Sequence, residues 1–372
     1  MFVAVRRRIT TSCLLLTQSG LALFQGASST LYDGVRPETG RQMRRREFIA
    51  LLGGVSTWPL AARGQQQPVK VARIGYLTTD GRVGASINLE PFRQGMSELG
   101  YIEGTNFTIE QRSADGRIER LASLASELVA LKVDVIVAVA TPAGRAAQQA
   151  TTTIPIIVTV MGDAVSDGLV TSLARPGGNI SGNSFLGPEL VPKRLTFLKQ
   201  VLPKVSRVAV LMHPGAFSEQ TTADMLKETT DAAASLGMQL QLVEVRNPDE
   251  LENAFTAITK AHAEALFPLP STMLFNERRR IVDLSLKYKL PGMFNAREFV
   301  QLGGLIAYGA NLADLNRRSA TYVDKVLKGA KPADLPVEQP TKFELFINQK
   351  AAKSLDIDVP LLLQQLADEV ID

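Results

Sequence analysis

From residue 70 onward the chain alternates short apolar, β-branched runs with stretches of helical periodicity. Residues 71–77 read as a buried strand that ends in a polar, glycine-containing loop. Residues 88–99 then place Leu89, Phe92, Met96 and Leu99 on one helical face, and Gly100 stops the helix. Residues 106–112 alternate like a strand, residues 117–131 form a second amphipathic helix, and 133–140 is a continuous apolar run of the inner-parallel-strand kind. The same events restart at residue 206. A strand over 206–212 is followed by a helix over 219–236, a strand over 239–245, a helix over 251–259 and a strand over 263–269. The spacing from Leu121 to Val139 in one half equals that from Leu251 to Leu269 in the other. Such alternation argues for βαβ units and parallel sheets, duplicated into two α/β lobes of about 120 residues each.

Between the halves lies Arg175-Pro176-Gly177-Gly178-Asn179, followed by Gly187-Pro188 and Pro192, which is loop chemistry. Gly303-Gly304 to Gly309 and residues 332–340 read as two further crossings. Three crossings make each lobe discontinuous, with 68–186 plus 304–333 in the first and 187–303 plus 334–372 in the second. A hinge of several strands permits closure while resisting twist.

The N-terminal 64 residues follow a different logic. Arg44-Arg45-Arg46-Glu47-Phe48-Ile49 precedes a short apolar stretch and then Ala62-Arg63-Gly64. A basic region, an apolar region and small residues before a cut describe an export signal over 43–64, cleaved near Gly64. The Arg45-Arg46-x-Phe48-Ile49 order resembles the twin-arginine variant, used for proteins exported already folded. Met43 stands just before the arginines, so residues 1–42 read as an extension from a start codon assigned too early. The full sequence of 372 residues carries 41 basic and 37 acidic side chains. Cleavage after Gly64 removes nine Arg and three acids, which leaves 308 residues with 32 basic and 34 acidic side chains. The basic excess thus sits in the discarded segment, and net charge implies no nucleic-acid partner. Cys13, the single cysteine, leaves with it, so the mature chain has no disulfide and no cysteine-based metal site. Beyond the signal no apolar run approaches the ~20 residues of a membrane span. The expectation is a periplasmic, monomeric protein with no stable membrane insertion.

Several segments together resemble one known group. They are Arg45-Arg46-Glu47-Phe48-Ile49 with Trp58-Pro59-Leu60-Ala61, Phe92-Arg93-Gln94-Gly95 with Leu99-Gly100-Tyr101, Arg175-Pro176-Gly177-Gly178-Asn179, Arg297-Glu298-Phe299, and Gln339-Pro340-Thr341-Lys342-Phe343-Glu344. The chain is similar to the ABC-transporter substrate-binding proteins of the tryptophan/tyrosine-binding-like family. The resemblance covers about residues 43–372. It implies a type I periplasmic binding protein fold, α/β with two Rossmann-like lobes, parallel sheets and a three-stranded hinge. A small-molecule solute would sit in the interdomain cleft, with ABC permease subunits as partners.

Ligands of open α/β sheets bind beyond the carboxyl ends of the strands, so the loops after each strand supply the candidates. In the first lobe these are Thr78 and Thr79, then Thr141 and Pro142, which read either as an N-cap with Pro at N1 or as a ligand-binding helix start. Gly162 and Asp163 follow the strand over 154–160, where Asp163 could hold a ligand ammonium or simply form a turn. In the second lobe the candidates are His213, Ser271 and Thr272. His213 has no Asp, Glu or His at ligand spacing, so it gives no metal site, and His262 reads as a surface residue. Glu298 falls where related amino-acid-binding proteins place an acid for the ligand α-amino group; Arg297 could equally be its structural partner. Phe185, Phe294 and Tyr308 could form apolar walls.

No Gly-x-Ser-x-Gly, His-Glu-x-x-His or phosphate-cradling Gly-Lys-Ser/Thr loop is present, which argues against an enzyme, and no cofactor is implied. The ligand core of a transcription regulator shares this fold but needs a DNA-binding head where the export signal stands. The reading is a periplasmic solute-binding protein that delivers an amino acid or an aromatic or carboxylate compound to an ABC importer. The alternative is a solute sensor for a chemoreceptor or histidine kinase.

Overall fold

The computed structural model describes residues 71–79, 86–187 and 189–372. The export signal over 43–64 and the extension over 1–42 lie outside the described residues.

The first sheet contains β1 (Ala72–Thr78), β2 (Phe107–Ser113), β3 (Val135–Val139), β4 (Ile156–Met161) and β5 (Ile180–Ser184), in the order β2-β1-β3-β4-β5 and all parallel. Its inner strands are apolar on both faces, as a parallel sheet covered on both sides requires. In β3, Val135, Val137 and Val139 join the core beneath α1 (Leu89–Glu98), while Ile136 and Ala138 join the opposite core beneath α2 (Leu121–Ala130) and α3 (Ala140–Ala150). The period of two sends alternate side chains to opposite faces. Gly182 in β5 is set by close approach, because a Cβ there would lie 1.9 Å from Val158 O at the irregular β4–β5 pairing.

The second lobe starts with α4 (Val191–Val201) and β6 (Arg207–Met212), then α5 (Glu219–Ser235), β7 (Gln239–Glu244), α6 (Leu251–Lys260) and β8 (Ala265–Pro268). It continues through α7 (Thr272–Asn276), α8 (Arg278–Lys287), β9 (Met293–Phe294), α9 (Arg297–Gln301) and β10 (Ile306–Gly309). After α10 (Leu312–Leu327) come β11 (Glu344–Asn348), α11 (Gln349–Ser354), α12 (Leu361–Leu366) and β12 (Glu369–Ile371). Strands β7-β6-β8 are parallel, and a parallel bridge from Leu266 to Gly292 carries the order on to β9-β10-β11-β12. One core of buried residues runs under all of these strands.

The crossing after β10 comes later than the sequence suggests. Residues 304–333 read as a return to the first lobe at Gly304, but β10 pairs with β9 and with β11 inside the second sheet. Its apolar run is therefore core of the second lobe. The chain returns only at α10, which packs with α1 on the first sheet through Tyr322 and Val323. A third crossing lies beside β5, where Ser184 N–H donates to Glu338 O at 2.9 Å and Glu338 N–H donates to Gly182 O at 3.0 Å. The fully buried Arg194 of α4 ties the crossings together: Nε donates to Tyr308 O at 2.7 Å and Nη1 to Gly187 O at 2.9 Å. Burial pulls this guanidinium down to about 9.

Candidate functional site

The carboxyl ends of both sheets meet around a cavity of about 60 Å³. From the first lobe, Val139, Ala140, Thr141 and Pro142 line it at the β3–α3 junction, joined by Val160, Asn88 and Leu312. From the second lobe come Ala216 and Phe217 after β6, Ser271, Thr272 and Phe275 after β8, and Asn295 after β9, with Phe185 at a crossing. The wall is largely apolar, with a few amide and hydroxyl groups placed to orient a ligand, the usual make-up of a small-molecule site. A space of this size holds roughly four or five waters, or one ring or branched alkyl group.

Backbone strain collects at the same place. Ala140 (φ 68°) and the β-branched Val160 (φ 60°) both line the cavity in the left-handed region, and Leu186 (φ 52°) follows Phe185. Each such residue costs on the order of 1–3 kcal/mol and persists only where its surroundings enforce it. At Val160 the enforcing group is Asn183, whose Oδ1 accepts Val160 N–H at 3.0 Å while its Nδ2 donates to Leu315 O at 2.9 Å.

The lobes touch through a buried carboxylate. Asp167 follows β4 in the first lobe, with a fully buried side chain. Its Oδ1 accepts the backbone N–H of Ser218 at 2.8 Å and the Thr221 hydroxyl at 3.0 Å, both at the start of α5 in the second lobe. Its Oδ2 accepts the Thr141 hydroxyl at 3.1 Å, and Thr141 Oγ1 in turn accepts Gly162 N–H at 3.1 Å. A carboxylate at a helix N-terminus satisfies otherwise orphaned N–H groups and complements the helix dipole. Thr141 is thus neither the N-cap of α3 nor a free hydroxyl: Val139 occupies the cap position, and α3 begins at Ala140. The same interface explains Gly162, where a Cβ would meet the Phe217 ring at 2.4 Å.

Of the residues singled out from sequence, Thr141, Pro142, Phe185, Ser271 and Thr272 come together on the cavity wall. Thr78 and Thr79 are buried behind it, with Thr79 O accepting Asn276 Nδ2 from the other lobe at 3.2 Å. Asp163 faces a different cavity, of about 260 Å³, and its Oδ1 accepts the N–H groups of Val165 and Ser166 as a turn former does. His213 lies off the cavity with Nδ1 2.9 Å from Val245 O, and His262 is an exposed turn residue. Phe294 is core, stacked on Phe299 with centroids 4.6 Å apart, and Tyr308 packs edge-on against Phe197. Glu298 lines a second, larger chamber of about 490 Å³. Burial pushes its carboxyl up, against the opposing pull of Arg278 and Arg297. Asn88, Phe217, Phe275, Asn295 and Leu312 line the inner cavity without having been named from sequence.

Among the described residues no helix is long and apolar enough to cross a membrane. Residues 83–371 match the family model described as ABC transporter substrate binding protein. A Tyrosine-binding protein of Clostridioides difficile (strain R20291) is 27% identical over 267 residues, which covers 72% of this chain and 75% of that protein. The crystal structure of an ABC domain in complex with L-Trp from Streptococcus pneumonia superposes with a TM-score of 0.72 at 26% identity, covering 80% of this chain and all of that one. A conserved domain protein from Vibrio cholerae superposes with a TM-score of 0.74 at 26% identity, over 81% of this chain and all of that one. The two lobes, with sheets that are parallel except where β10 and β11 pair antiparallel, are those of a type I periplasmic binding protein. The chain belongs to the family of ABC transporter substrate-binding proteins.

Proposed function

We propose that the protein captures a small organic solute, an amino acid or an aromatic or carboxylate compound, in the cavity between its lobes and delivers it to an ABC importer. The observation that carries this reading is a cavity walled by the strand ends of both lobes, apolar except for amide and hydroxyl groups. A ligand there touches both lobes at once and so favours their closed arrangement over an open one. The relatives named for tyrosine and tryptophan support a solute of this size and class. The leader over 43–64 supports delivery from the periplasm after cleavage near Gly64, with Arg45-Arg46 favouring the twin-arginine route.

A thermal-shift screen of the purified protein against the twenty amino acids and a set of aromatic acids tests the reading. A ligand at 100 times its Kd stabilises the folded state by about 2.7 kcal/mol, so a Tm rise of several degrees is expected for at least one compound. Ala216→Leu, which fills the cavity wall, should abolish that rise. No shift from either class contradicts the proposal.

A further inference from the structure

Nine large apolar side chains are exposed among the described residues, and three of them fall within the six residues of α12. Leu361, Leu362 and Leu366 are 67%, 66% and 60% exposed. Leu362 and Leu366 lie one turn apart with Leu361 beside them, so the three share one face, while Leu363 turns into the core of the second lobe. Single exposed leucines need no explanation, whereas a contiguous apolar face marks an interaction site. This face is firmly held. Leu363 anchors it, Gln364 Nε2 donates to Val359 O at 2.7 Å, and just beyond α12 Asp368 Oδ2 accepts Leu345 N–H at 2.9 Å. It lines neither the inner cavity nor the larger chamber.

The rim of the face has one sign. Residues 354–372 contain Asp356, Asp358, Asp368, Glu369 and Asp372 and no Lys, Arg or His. Asp368 pairs with Lys342 at 3.2 Å and Glu369 with Arg297 at 3.2 Å. Asp356, Asp358 and Asp372 are exposed and carry no ion pair among the described residues. Two such faces pressed together in a dimer would set acid against acid across the contact, and an anionic lipid surface would repel the rim. The surface that complements both features is a protein groove with an apolar floor and an edge of Lys and Arg.

From this juxtaposition we infer that α12 is a docking knob: its leucines enter an apolar groove on the membrane-spanning subunits of the importer, and its acids meet a basic rim there. The inference rests on the solute-delivery reading and adds to it the surface by which the second lobe meets the transporter. Charge steers the encounter, and burial of the leucines holds the complex once formed.

Photo-crosslinking in the native host tests this. The full-length protein, carrying benzoylphenylalanine at position 362 or 366, is irradiated in intact cells, with position 102, 62% exposed on the first lobe, as the control. Both α12 positions should give an adduct with a membrane-spanning importer subunit, mapped to a segment with an excess of Lys and Arg, and position 102 should give none. Leu362→Ser combined with Leu366→Ser should cut uptake of the solute found by the thermal-shift screen about 10-fold or more, the loss expected when interface anchors are truncated. The Kd for that solute and the melting temperature should match those of the parent, which shows that the double variant acts neither through folding nor through capture. An adduct with a second copy of the chain or with lipid overturns the inference, as does the absence of an adduct from both positions. Uptake undiminished by the double variant also overturns it and leaves capture and delivery standing. An adduct with a receptor or histidine kinase overturns the inference and delivery to an importer together.

Discussion

Asp167→Ala is expected to destabilise the folded protein by about 2–4 kcal/mol and to let the lobes open. The carboxylate is buried and holds three donors, two of them on the opposite lobe. Alanine leaves Ser218 N–H and two hydroxyls without their acceptor at a closed interface, and an unsatisfied buried donor costs about 1–3 kcal/mol. Part of that cost is returned because a buried charge disappears, although Arg145, 4.0 Å from Asp167, loses its ion-pair partner. The remainder falls on the closed form, since opening lets water reach Ser218 and Thr221. Urea unfolding should therefore show a lower midpoint, and small-angle scattering without ligand should show a larger radius of gyration. Asp167→Asn keeps one carbonyl acceptor and should lie between the two. An alanine variant with unchanged midpoint and radius would remove Asp167 from the account of closure. Because Thr141 is at once a cavity wall residue and a donor to Asp167, the variant should also weaken whichever solute binds.

Arg194→Met is the second large effect, at about 2–4 kcal/mol of lost stability. Among the described residues no carboxylate hydrogen-bonds this guanidinium; its two bonds go to the carbonyls of Gly187 and Tyr308, on either side of two crossings. Methionine fills a similar volume and removes the desolvation cost, yet it leaves both carbonyls without a donor. Lysine offers a point charge in place of the planar fork and reaches one carbonyl at a time, so Arg194→Lys should lose nearly as much. A methionine variant more stable than the parent would mean that desolvation dominates and that Arg194 is no clasp.

The repeating pattern of apolar runs located β1 to β3 and β6 to β8 and the helices α1, α2, α5 and α6, because a parallel sheet covered on both faces leaves a strong periodic imprint; it gave no helix for α4, α8 or α10. Thr141, Pro142, Ser271 and Thr272 were legible as strand-end residues for the same reason. Asn295 was passed over for Glu298, three positions further on, and His213 was named where Ala216 and Phe217 do the lining. A strand end read from sequence is uncertain by about that many residues, and three residues decide whether a side chain meets the inner cavity or the outer chamber. Asn88 and Leu312 carry no local signal at all. They reach the cavity because α1 and α10 pack side by side, although more than 200 residues separate them. Leu312 belongs to a crossing that Gly303-Gly304 advertised too early, since those glycines end α9 before the chain enters one more strand of the second sheet. Asp167 was invisible because its partners, Ser218 and Thr221, lie in the other lobe.

A crystal structure of the protein with its tightest-binding amino acid or aromatic acid is the most direct test of the central claim. The account predicts the apolar part of that compound between Thr141, Phe185, Phe217 and Phe275, with its polar end toward Asn88. Density for the compound in the acidic cavity beside Asp163 and Glu189, with the inner cavity empty, would contradict it.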